Sequence, residues 1–376
     1  MTVTEEIQAL REGIDGLDRE LLELLNRRMD YARRIGEIKA RHGIDPFDPA
    51  REEAICRCLT ARNRGPLSDE SVRAIYREIL AASRILQQPL GVAFLGPEWT
   101  YSHLAAISLF GHNARYVPHR TLIDVFDALN KNLAHIALVP VENSLEGGIA
   151  QTMDLLYERP VVIVRECYLE IAHCLAGRGG EVAAVKRIYG HPHALAQCRR
   201  WVFENLRHAE LHESASTAQA AQHAAKDPEG AAICSLQAAC HHGLKILAER
   251  VEDHSGNTTR FFALGHRKNA PTGHDKTSIL FAVPDKPGAL YTALEPFARW
   301  QLNMTRIESR PNRLMPWQYL FFSDFEGHRD DPQIEDSLQA LSERTSFLKI
   351  LGSYPRSDPM KPIRFDFEKV RFGGEN

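Results

Sequence analysis

The chain has 376 residues, of which 44% are apolar and 25% charged, and its formal net charge is −3. This length predicts two or three domains with ample core, and the small negative charge argues against a general nucleic-acid binder. No apolar run approaches the roughly 18 residues needed to span a membrane, and the polar, acidic N-terminus is not typical of a signal peptide. Seven cysteines without a CxxC pair indicate reduced thiols in a cytoplasmic protein. The histidine pairs at 191/193 and 241/242 lack a persuasive third ligand, so no metal site or other cofactor is expected.

Residues 4–40 are predicted to form one long amphipathic helix. Thr2 and Glu5 have the spacing of a capping box before it, and Gly43 and Pro46 end it. At about 1.5 Å per residue the helix is roughly 55 Å long, which is too long for one small core, so a partner helix is expected. Its apolar residues recur at steps of three, four and seven, at Leu10, Ile14, Leu17, Leu21, Leu24, Leu25, Ile35 and Ile38.

Cations on this helix fall on two faces. Arg28 and Lys39 are eleven residues apart, and eleven steps of about 100° bring them to the same face. Arg11 lies about 80° to 100° away from both, so it fits their site better from an antiparallel partner helix than from its own. For the run of six cations and two anions between Arg27 and Arg41 alone, a solvated helical face is the simpler explanation.

Two further helices complete the N-terminal region. The second is predicted to run from Asp48 as N-cap and Pro49 to about Arg62, and the third from Ser68 as N-cap to Gln88. Three helices with one very long member cannot close a good core alone, which again predicts a dimer. The polar residues that these helices add are Asp48, Arg51, Glu52, Ser83 and Gln87. Together with Arg11, Arg28 and Lys39, this set resembles the all-helical chorismate mutase of the AroQ type, over residues 1–90.

The resemblance implies a pericyclic rearrangement of chorismate to prephenate, which requires no nucleophile, proton donor or metal. It also implies a homodimer through the N-terminal helices, with a higher oligomer left open. Two substrate carboxylates suit Arg28 and a partner's Arg11. The ether oxygen suits Lys39 and Gln87, and the substrate hydroxyl suits Glu52. Asp48 and Ser83 are implied to contact chorismate as well. For Asp48 and Arg51 a helix start and a salt bridge explain the residues as well as substrate contact does, and for Ser83 helix packing is the alternative.

From Val92 onward, strand, loop and helix alternate. The predicted strands are 92–96, 135–140, 161–164, 168–176, 187–192, 210–213, 231–235 and 259–265. This alternation predicts an α/β domain with a largely parallel sheet. In such sheets ligands bind at the carboxyl ends of the strands, and the polar motifs of this region fall there.

Five motifs dominate this region, namely GPEWTYSH (96–103), PVENSLEGG (140–148), YGHPHALAQC (189–198), STAQAA (216–221) and NTTRF (257–261). Together they resemble prephenate dehydratase, over residues 91–267. The resemblance implies two α/β lobes, like those of periplasmic binding proteins, with the active site in the cleft between them. The implied reaction expels the ring hydroxyl and carbon dioxide from prephenate and gives phenylpyruvate.

By this resemblance Thr259 is catalytic, donating or relaying a hydrogen bond to the leaving oxygen. The other residues implied for prephenate are Thr100, Ser102, Glu142, Asn143, Ser144, Gln197 and Arg260. The alternatives are that Arg260 pairs with Glu142 or Asp253, and that Thr100 and Ser102 only cap a helix. This chain departs from the family at Trp99, where glycine is usual, and at Gly190, where serine is frequent.

After a polar linker over 267–276, the predicted order is βαββαβ, which is typical of an α+β ferredoxin-like domain. The motifs PGAL (287–290), ESRP (308–311) and PWQYLFFSDFEGH (316–328) resemble a phenylalanine-sensing ACT domain, over residues 275–355. The resemblance implies that L-phenylalanine binds at Gly288, Ala289, Leu290, Asn303, Glu308 and Ser309, with its ring near Leu290 and Met304. A simple strand-to-helix turn is the alternative for PGAL. Residues 356–376 are expected to form a loosely ordered tail.

The order of these regions predicts a fused mutase and dehydratase of phenylalanine biosynthesis, inhibited by L-phenylalanine, with chorismate, prephenate and L-phenylalanine as its small-molecule partners. No nucleic acid or membrane partner is expected. One rival is a mutase fused to prephenate dehydrogenase, but the glycines at 177, 179 and 180 lack the third glycine of a dinucleotide fingerprint, since Val182 occupies its place. The other rival is a mutase fused to a non-catalytic amino-acid sensor, which turnover of chorismate to phenylpyruvate would exclude.

Overall fold

The computed structural model describes residues 2–44, 47–312 and 318–365. It divides into two compact units. The first comprises Met1–Asp48, Ile55–Leu90 and Phe110–Arg115, and the second comprises Pro49–Ala54, Gly91–Leu109 and Tyr116–Asn376. Among the described residues, no helix has the length and apolar character needed to cross a membrane. The same part of the chain holds no cluster of three or more histidine, cysteine or acidic side chains arranged to bind a metal ion.

Helices dominate the first unit, namely α1 (Val3–Arg41), most of α2 (Pro49–Arg62) and α3 (Asp69–Gln87). The predicted capping box of Thr2 and Glu5 is confirmed, as is the N-cap Ser68. The chain turns after α1 at Gly43, whose φ is +63°, whereas Pro46 lies outside the described residues. α1 packs closely on α3 at Gly36, where a Cβ would lie 2.8 Å from Cγ of Gln87.

Most of α1 lacks a packing partner among the described residues. Only Ala32 and Gly36 are buried along its 39 residues. Leu10 and Leu17 leave 71% and 66% of their surface exposed. The apolar stripe predicted from the sequence is therefore present, but its N-terminal half is uncovered within this chain.

The first lobe of the second unit surrounds a sheet of order β2-β1-β3-β11-β5, with β4 paired to β3. Its elements are β1 (Gly91–Leu95), α4 (Tyr101–Phe110), β2 (Arg115–His119), α5 (Leu122–Asn130), β3 (Ile136–Asn143), β4 (Gly147–Gly148), α6 (Ala150–Glu158), β5 (Val162–Glu170) and β11 (Thr258–Gly265). The pair β2 and α5 was not predicted. The strands expected at 161–164 and 168–176 were divided wrongly, because β5 continues unbroken to Glu170.

The second lobe has a five-stranded sheet of order β10-β6-β9-β7-β8. Its elements are β6 (Cys174–Gly177), β7 (Arg187–Gly190), α7 (Pro192–Gln197), α8 (Arg199–Asn205), β8 (Glu210–Glu213), α9 (Thr217–Ala224), β9 (Gly230–Cys234), α10 (Leu236–His241) and β10 (Lys245–Ala248). The prediction of largely parallel sheets was wrong. β11 returns from this lobe to the first and runs antiparallel to both β3 and β5, and β6 is antiparallel to both of its neighbours.

The C-terminal sheet confirms the predicted βαββαβ order. Its elements are β12 (Asp275–Ala282), α11 (Ala289–Arg299), β13 (Met304–Pro311), β14 (Tyr319–Glu326), α12 (Pro332–Ser342) and β15 (Phe347–Pro355). The strands pair antiparallel in the order β13-β14-β12-β15. Leu280, Phe322 and Leu351 of this sheet belong to the same buried cluster as the first lobe, so the two share one core.

The expectation of a loosely ordered tail is wrong for residues 356–365. The backbone N–H of Ser357 donates to Oε1 of Glu166 over 3.0 Å. Ile363 forms a parallel bridge with Leu169 of β5, and its N–H donates to the carbonyl of Tyr168 over 2.8 Å. This segment is fixed by the free edge of β5, while residues 366–376 lie outside the described part of the chain.

Candidate functional site

In the first unit, the predicted mutase residues meet where α1 crosses α3. Nη1 of Arg28 donates to Oγ of Ser83 over 2.5 Å, and that hydroxyl donates to the carbonyl of Ile79 over 2.8 Å. Ser83 is buried, so it both packs the helix pair and orients the guanidinium. One turn further along, Gln87 has a buried amide oxygen that accepts no hydrogen bond from any described residue.

The remaining mutase residues are more dispersed. Lys39 is half-buried, whereas Arg11, Asp48 and Arg51 are exposed. Arg11 is seventeen residues from Arg28 along α1, or about 25 Å at the rise of an α-helix, so the two cations of one chain are far apart.

Glu52 lies in the part of α2 that belongs to the second unit. It is buried there, with Oε2 3.5 Å from Nη1 of Arg165 on β5. Its neighbour is therefore a cation of the α/β region, a contact that the sequence did not predict.

In the second unit, the dehydratase motifs meet at one edge of the first lobe's sheet. β1 and β3 are parallel and end at this edge, and β11 begins there because it is antiparallel to β3. The register places Thr259 directly opposite Asn143. The predicted catalytic threonine and the ENS motif, more than one hundred residues apart in sequence, are thus neighbours in the sheet.

The amide of Asn143 is fixed on both sides. Its oxygen accepts the backbone N–H of Leu145 over 3.0 Å. Its Nδ2 donates to Oγ1 of Thr259 over 2.9 Å and to Oδ1 of Asn257 over 2.7 Å. Since the Thr259 oxygen accepts a hydrogen bond from Asn143, its own O–H is available as a donor, and no described residue accepts it.

The network continues from Asn257 into the second lobe. Nδ2 of Asn257 donates to Oε1 of Gln197 over 3.3 Å, and Nε2 of Gln197 donates to Oε1 of Glu146 over 3.2 Å. Nε2 of His173 lies 3.0 Å from the same Gln197 oxygen, so this nitrogen carries the proton. The side-chain amide of each residue in this hydrogen-bond network therefore has a defined orientation.

His173 is fully buried, and burial lowers its pKa to about 4 despite the opposing hydrogen bond to Gln197. The imidazole is consequently neutral at neutral pH. Its Nδ1 lies 3.3 Å from the hydroxyl of Tyr101, which donates to the carbonyl of Ala172. Tyr101 of the first lobe and His173 of the second thus meet at the connection between the lobes.

Three of the residues implied for prephenate have other partners. Ser144 accepts the backbone N–H of Thr258 over 2.9 Å and so braces the start of β11. Glu142 faces Nε of Arg306 on β13, 3.1 Å away. The hydroxyl of Thr100 donates to the carbonyls of Leu95 and Pro97, so it stabilises the loop after β1 instead of capping α4. Ser102 is buried in the first turn of α4.

Arg260 was expected either to bind prephenate or to pair with Glu142 or Asp253, and its position fits neither. Neighbours on a strand project to opposite faces, so its side chain lies on the other side of the sheet from Thr259. It is buried, and Nη1 and Nη2 lie 2.5 and 2.6 Å from Asp324 and Glu166. Burial would lower the pKa of Arg260, but the two carboxylates raise it well above its ordinary value. The cation joins β11 to the C-terminal sheet, and its partners are not Glu142 or Asp253.

The two departures from the family pattern have structural explanations. A Cβ on Gly190 would lie 2.7 Å from Leu195, so a serine would require this leucine to move. Trp99 turns inward, and its ring stacks on His241 of the second lobe with centroids 4.7 Å apart.

The residues implied for L-phenylalanine lie at two places in the C-terminal domain. Gly288, with φ +78°, is the N-cap of α11 and precedes Ala289 and Leu290. Asn303, Glu308 and Ser309 lie at or on β13. Glu308 and Ser309 project to opposite faces, and the Glu308 carboxylate pairs with Arg306 over 2.5 Å and contacts Gly148.

Several residues of these networks were not singled out from the sequence. Asn257 and Glu146 lie inside the NTTRF and ENSLEGG motifs, so the motifs could have identified them as candidate site residues. Tyr101 had the same signal, since it stands inside GPEWTYSH, whereas His173 and Arg306 gave none because their contacts depend on strands that are distant in sequence.

Comparison with known proteins accounts for nearly the whole chain. Three family models match in order, namely chorismate mutase type II over 10–88, prephenate dehydratase over 92–269 and the ACT domain over 277–343. A bifunctional chorismate mutase/prephenate dehydratase of Aquifex aeolicus is 42% identical over 94% of this chain and 99% of its own length. Its Escherichia coli counterpart is 31% identical over 96% and 99%.

Two solved structures each resemble about three quarters of the chain. A prephenate dehydratase from Arthrobacter aurescens in complex with L-Phe is 34% identical, with a TM-score of 0.66, covering 75% of this chain and 97% of that one. GqqA, described as a novel type of quorum quenching acylase, is also 34% identical with a TM-score of 0.66, covering 72% and 100%.

Proposed function

Since the chain belongs to the family of bifunctional chorismate mutase/prephenate dehydratases, we infer that it converts chorismate to prephenate and prephenate to phenylpyruvate. The ACT domain adds feedback inhibition by L-phenylalanine. The observation that carries the dehydratase assignment is the ordered amide network that ends on the free hydroxyl proton of Thr259.

The mutase site is built on the crossing of α1 and α3. Its task is to bind a dicarboxylate in a compact conformer and to stabilise charge that grows on the breaking ether oxygen. Arg28, oriented by Ser83, binds a carboxylate. A buried amide oxygen without a partner is costly, and Gln87, which packs against Gly36 of α1, carries one, which supports a polar ligand here. Lys39 and Gln87 contact the ether oxygen of chorismate.

Glu52 takes the substrate hydroxyl in this proposal. Its ion pair with Arg165 keeps the carboxylate in place. Asp48 and Arg51, both exposed, bind at the periphery of the site or set the start of α2.

The mutase site is completed by a second copy of the chain. The uncovered apolar stripe of α1 supports a homodimer, because exposed apolar patches of this kind mark association surfaces. The distance from Arg11 to Arg28 along one helix supports it independently, since an antiparallel α1 of the partner brings its own Arg11 back toward Arg28.

Complementation of two inactive variants tests this arrangement. Arg11→Ala and Lys39→Ala each inactivate the mutase, but a mixed dimer has one intact site, made of Lys39 from one chain and Arg11 from the other. Co-expressed chains that pair at random should recover about a quarter of the wild-type mutase activity. Recovery of none, with mixed dimers verified by mass, would place both cations in one chain's site.

The dehydratase reaction takes place at the edge of the first lobe's sheet. The bond between the ring and its carboxylate breaks, carbon dioxide leaves, and the electron pair completes the aromatic ring as the ring C–O bond breaks. Thr259 donates its hydrogen bond to the departing hydroxide, which leaves as water after taking up a proton. Asn143 holds the threonine oxygen, and Gln197 with Asn257 holds Asn143.

The other polar residues implied for prephenate support this edge from different sides. Ser144 and Thr100 brace the backbone beside it, and Ser102 lies at the start of α4. Glu142 contacts Arg306 and so connects the site to β13. We assign Arg260 to the junction with the C-terminal sheet, because two carboxylates already neutralise it.

L-Phenylalanine binds at the C-terminal domain, through backbone groups of the 288–290 turn and polar groups of β13, including Asn303, Glu308 and Ser309. Gly288 adopts a left-handed conformation that lets backbone approach a ligand closely. The Arg306 ion pairs with both Glu308 and Glu142 support a direct route from this domain to the dehydratase edge.

We place the functional boundaries at 1–90 for the mutase, 91–267 for the dehydratase and 275–355 for the regulatory domain, with 356–376 as an extension. The seven cysteines are all free thiols, which supports a cytoplasmic location.

The direct test is turnover of chorismate by the purified full-length chain, with every product identified by chromatography and mass. Prephenate should appear first and phenylpyruvate should follow, and added L-phenylalanine should slow the second step. Formation of prephenate that is never consumed would identify a mutase fused to a sensor. Removal of an acyl group from an acylated substrate, without formation of phenylpyruvate, would instead favour the acylase activity named for GqqA.

A further inference from the structure

Trp99 has a backbone conformation that residues with a Cβ rarely adopt. Its φ is +65°, in the left-handed region that glycine favours. Its backbone N–H donates to Nδ1 of the buried His103 over 3.0 Å. His103 in turn stacks on Phe94 of β1 with ring centroids 4.7 Å apart. The core of the first lobe therefore holds Trp99 in an unfavourable conformation.

The side chain of Trp99 crosses from the first lobe to the second. Its ring stacks on His241 at the end of α10, at 4.7 Å and an interplanar angle of 26°. It also packs against the buried cluster of the second lobe, which includes Ala218 of α9 and Ala238 of α10. The indole N–H is buried and meets no hydrogen-bond acceptor among the described residues, so the contact between the lobes is made by ring packing.

This contact stands on the wall of a cleft of about 680 Å³ that both lobes line. Gly96, Trp99 and His119 line it from the first lobe, and Ser216, Gln219 and His241 line it from the second. Trp99 follows the carboxyl end of β1, at the same sheet edge where β11 begins and Thr259 is its second residue. The stack and the dehydratase residues therefore occupy one end of the two-lobed structure.

We propose that Trp99 is a positioning residue for dehydration, which holds the two lobes in the geometry that binds prephenate by stacking on His241. The proposal rests on the dehydratase function inferred above. A protein that binds its ligand between two lobes loses affinity if the lobes must first be brought together. A stack that is already formed in the free protein reduces this cost, so it lowers the KM for prephenate and leaves the chemical step unchanged.

Trp99→Gly is the primary test, because glycine accepts the backbone conformation while removing the stack. Aromatic pairs contribute enough for a rise in KM of about threefold to tenfold, with kcat nearly constant. The mutase rate of the same chain serves as an internal control for folding. Trp99→Phe, which keeps a ring on His241, should restore most of the affinity. Gln301→Gly is the matched control, because Gln301 also has a left-handed φ, +54°, and is exposed outside the cleft.

A double-mutant cycle separates the stack from a general effect on the loop. His241→Ala removes the exposed partner without altering the backbone at Trp99, and the double variant should be no worse than either single variant. An unchanged KM in both single variants, or full additivity in the double variant, would overturn the proposal. Failure of the underlying function is distinguishable, because the wild-type chain would then not consume prephenate at all.

Discussion

The carboxylate of Glu308 lies directly against Gly148, so that any side chain at this glycine would collide with it. Glu308 belongs to the ESRP motif of β13, and Gly148 belongs to the ENSLEGG motif of the dehydratase edge. Arg306 bridges the same two motifs by pairing with Glu308 and Glu142. A shift of β13 on binding an effector would therefore move the dehydratase loop directly, through the contacts of Glu308 and Arg306.

Arg306→Gln should weaken inhibition by L-phenylalanine. Coupling between sites is typically worth 1–3 kcal/mol, so the half-inhibitory concentration should rise about tenfold. The measurement is the dehydratase rate as a function of L-phenylalanine. Arg310→Gln is the matched control, because Arg310 is on the same strand but faces Asp154 of α6, 3.5 Å away. Equal inhibition of both variants and the wild type would exclude this route.

Thr259→Ala should cause prephenate to accumulate from chorismate. Loss of a positioned donor to the leaving oxygen typically lowers a rate by about 10²- to 10⁴-fold. Thr258→Ala is a matched control one residue away, since that hydroxyl donates to the carbonyl of Gly256. The measurement is the amount of prephenate and phenylpyruvate during a chorismate time course. A normal dehydratase rate in Thr259→Ala would show that Thr259 is not the donor to the leaving oxygen.

Lys39→Ala should abolish formation of prephenate while prephenate supplied directly is still dehydrated. In the proposed mutase site this cation stabilises charge on the ether oxygen, and it has no part in the proposed dehydratase site. Arg34→Ala, an exposed cation of the same helix, should leave both rates near the wild-type values. Loss of both activities in Lys39→Ala, with an unchanged unfolding temperature, would contradict separate sites.

His173 should make the folded state sensitive to acid. Its pKa is about 4 in the native protein against an ordinary value of about 6.5, so below pH 6.5 the unfolded chain binds a proton that the native chain does not. Stability is therefore lost as pH falls from 6.5 to 4, by up to about 3 kcal/mol. Denaturant unfolding at pH 7 and pH 5 should show a smaller loss for His173→Gln. An equal loss in both proteins would show that another group is responsible.

The sequence determined the parts of this protein that depend on local pattern. The 3.6-residue period of α1, its capping box, and the βαββαβ order of the C-terminal domain all appear as predicted. The motif containing Thr259 and the motif containing Asn143 were also identified, because the residue types of a site are visible without knowledge of their partners.

Only the tertiary structure decided the direction of β11, the partners of Arg260 and the side to which Trp99 turns. Each depends on contacts between residues far apart in sequence, such as Arg260 with Glu166 and Asp324, and no local preference encodes such contacts. Strand alternation made Thr259 and Arg260 face opposite ways, but the register of β11 was needed to show that the first meets Asn143 and the second meets the regulatory sheet.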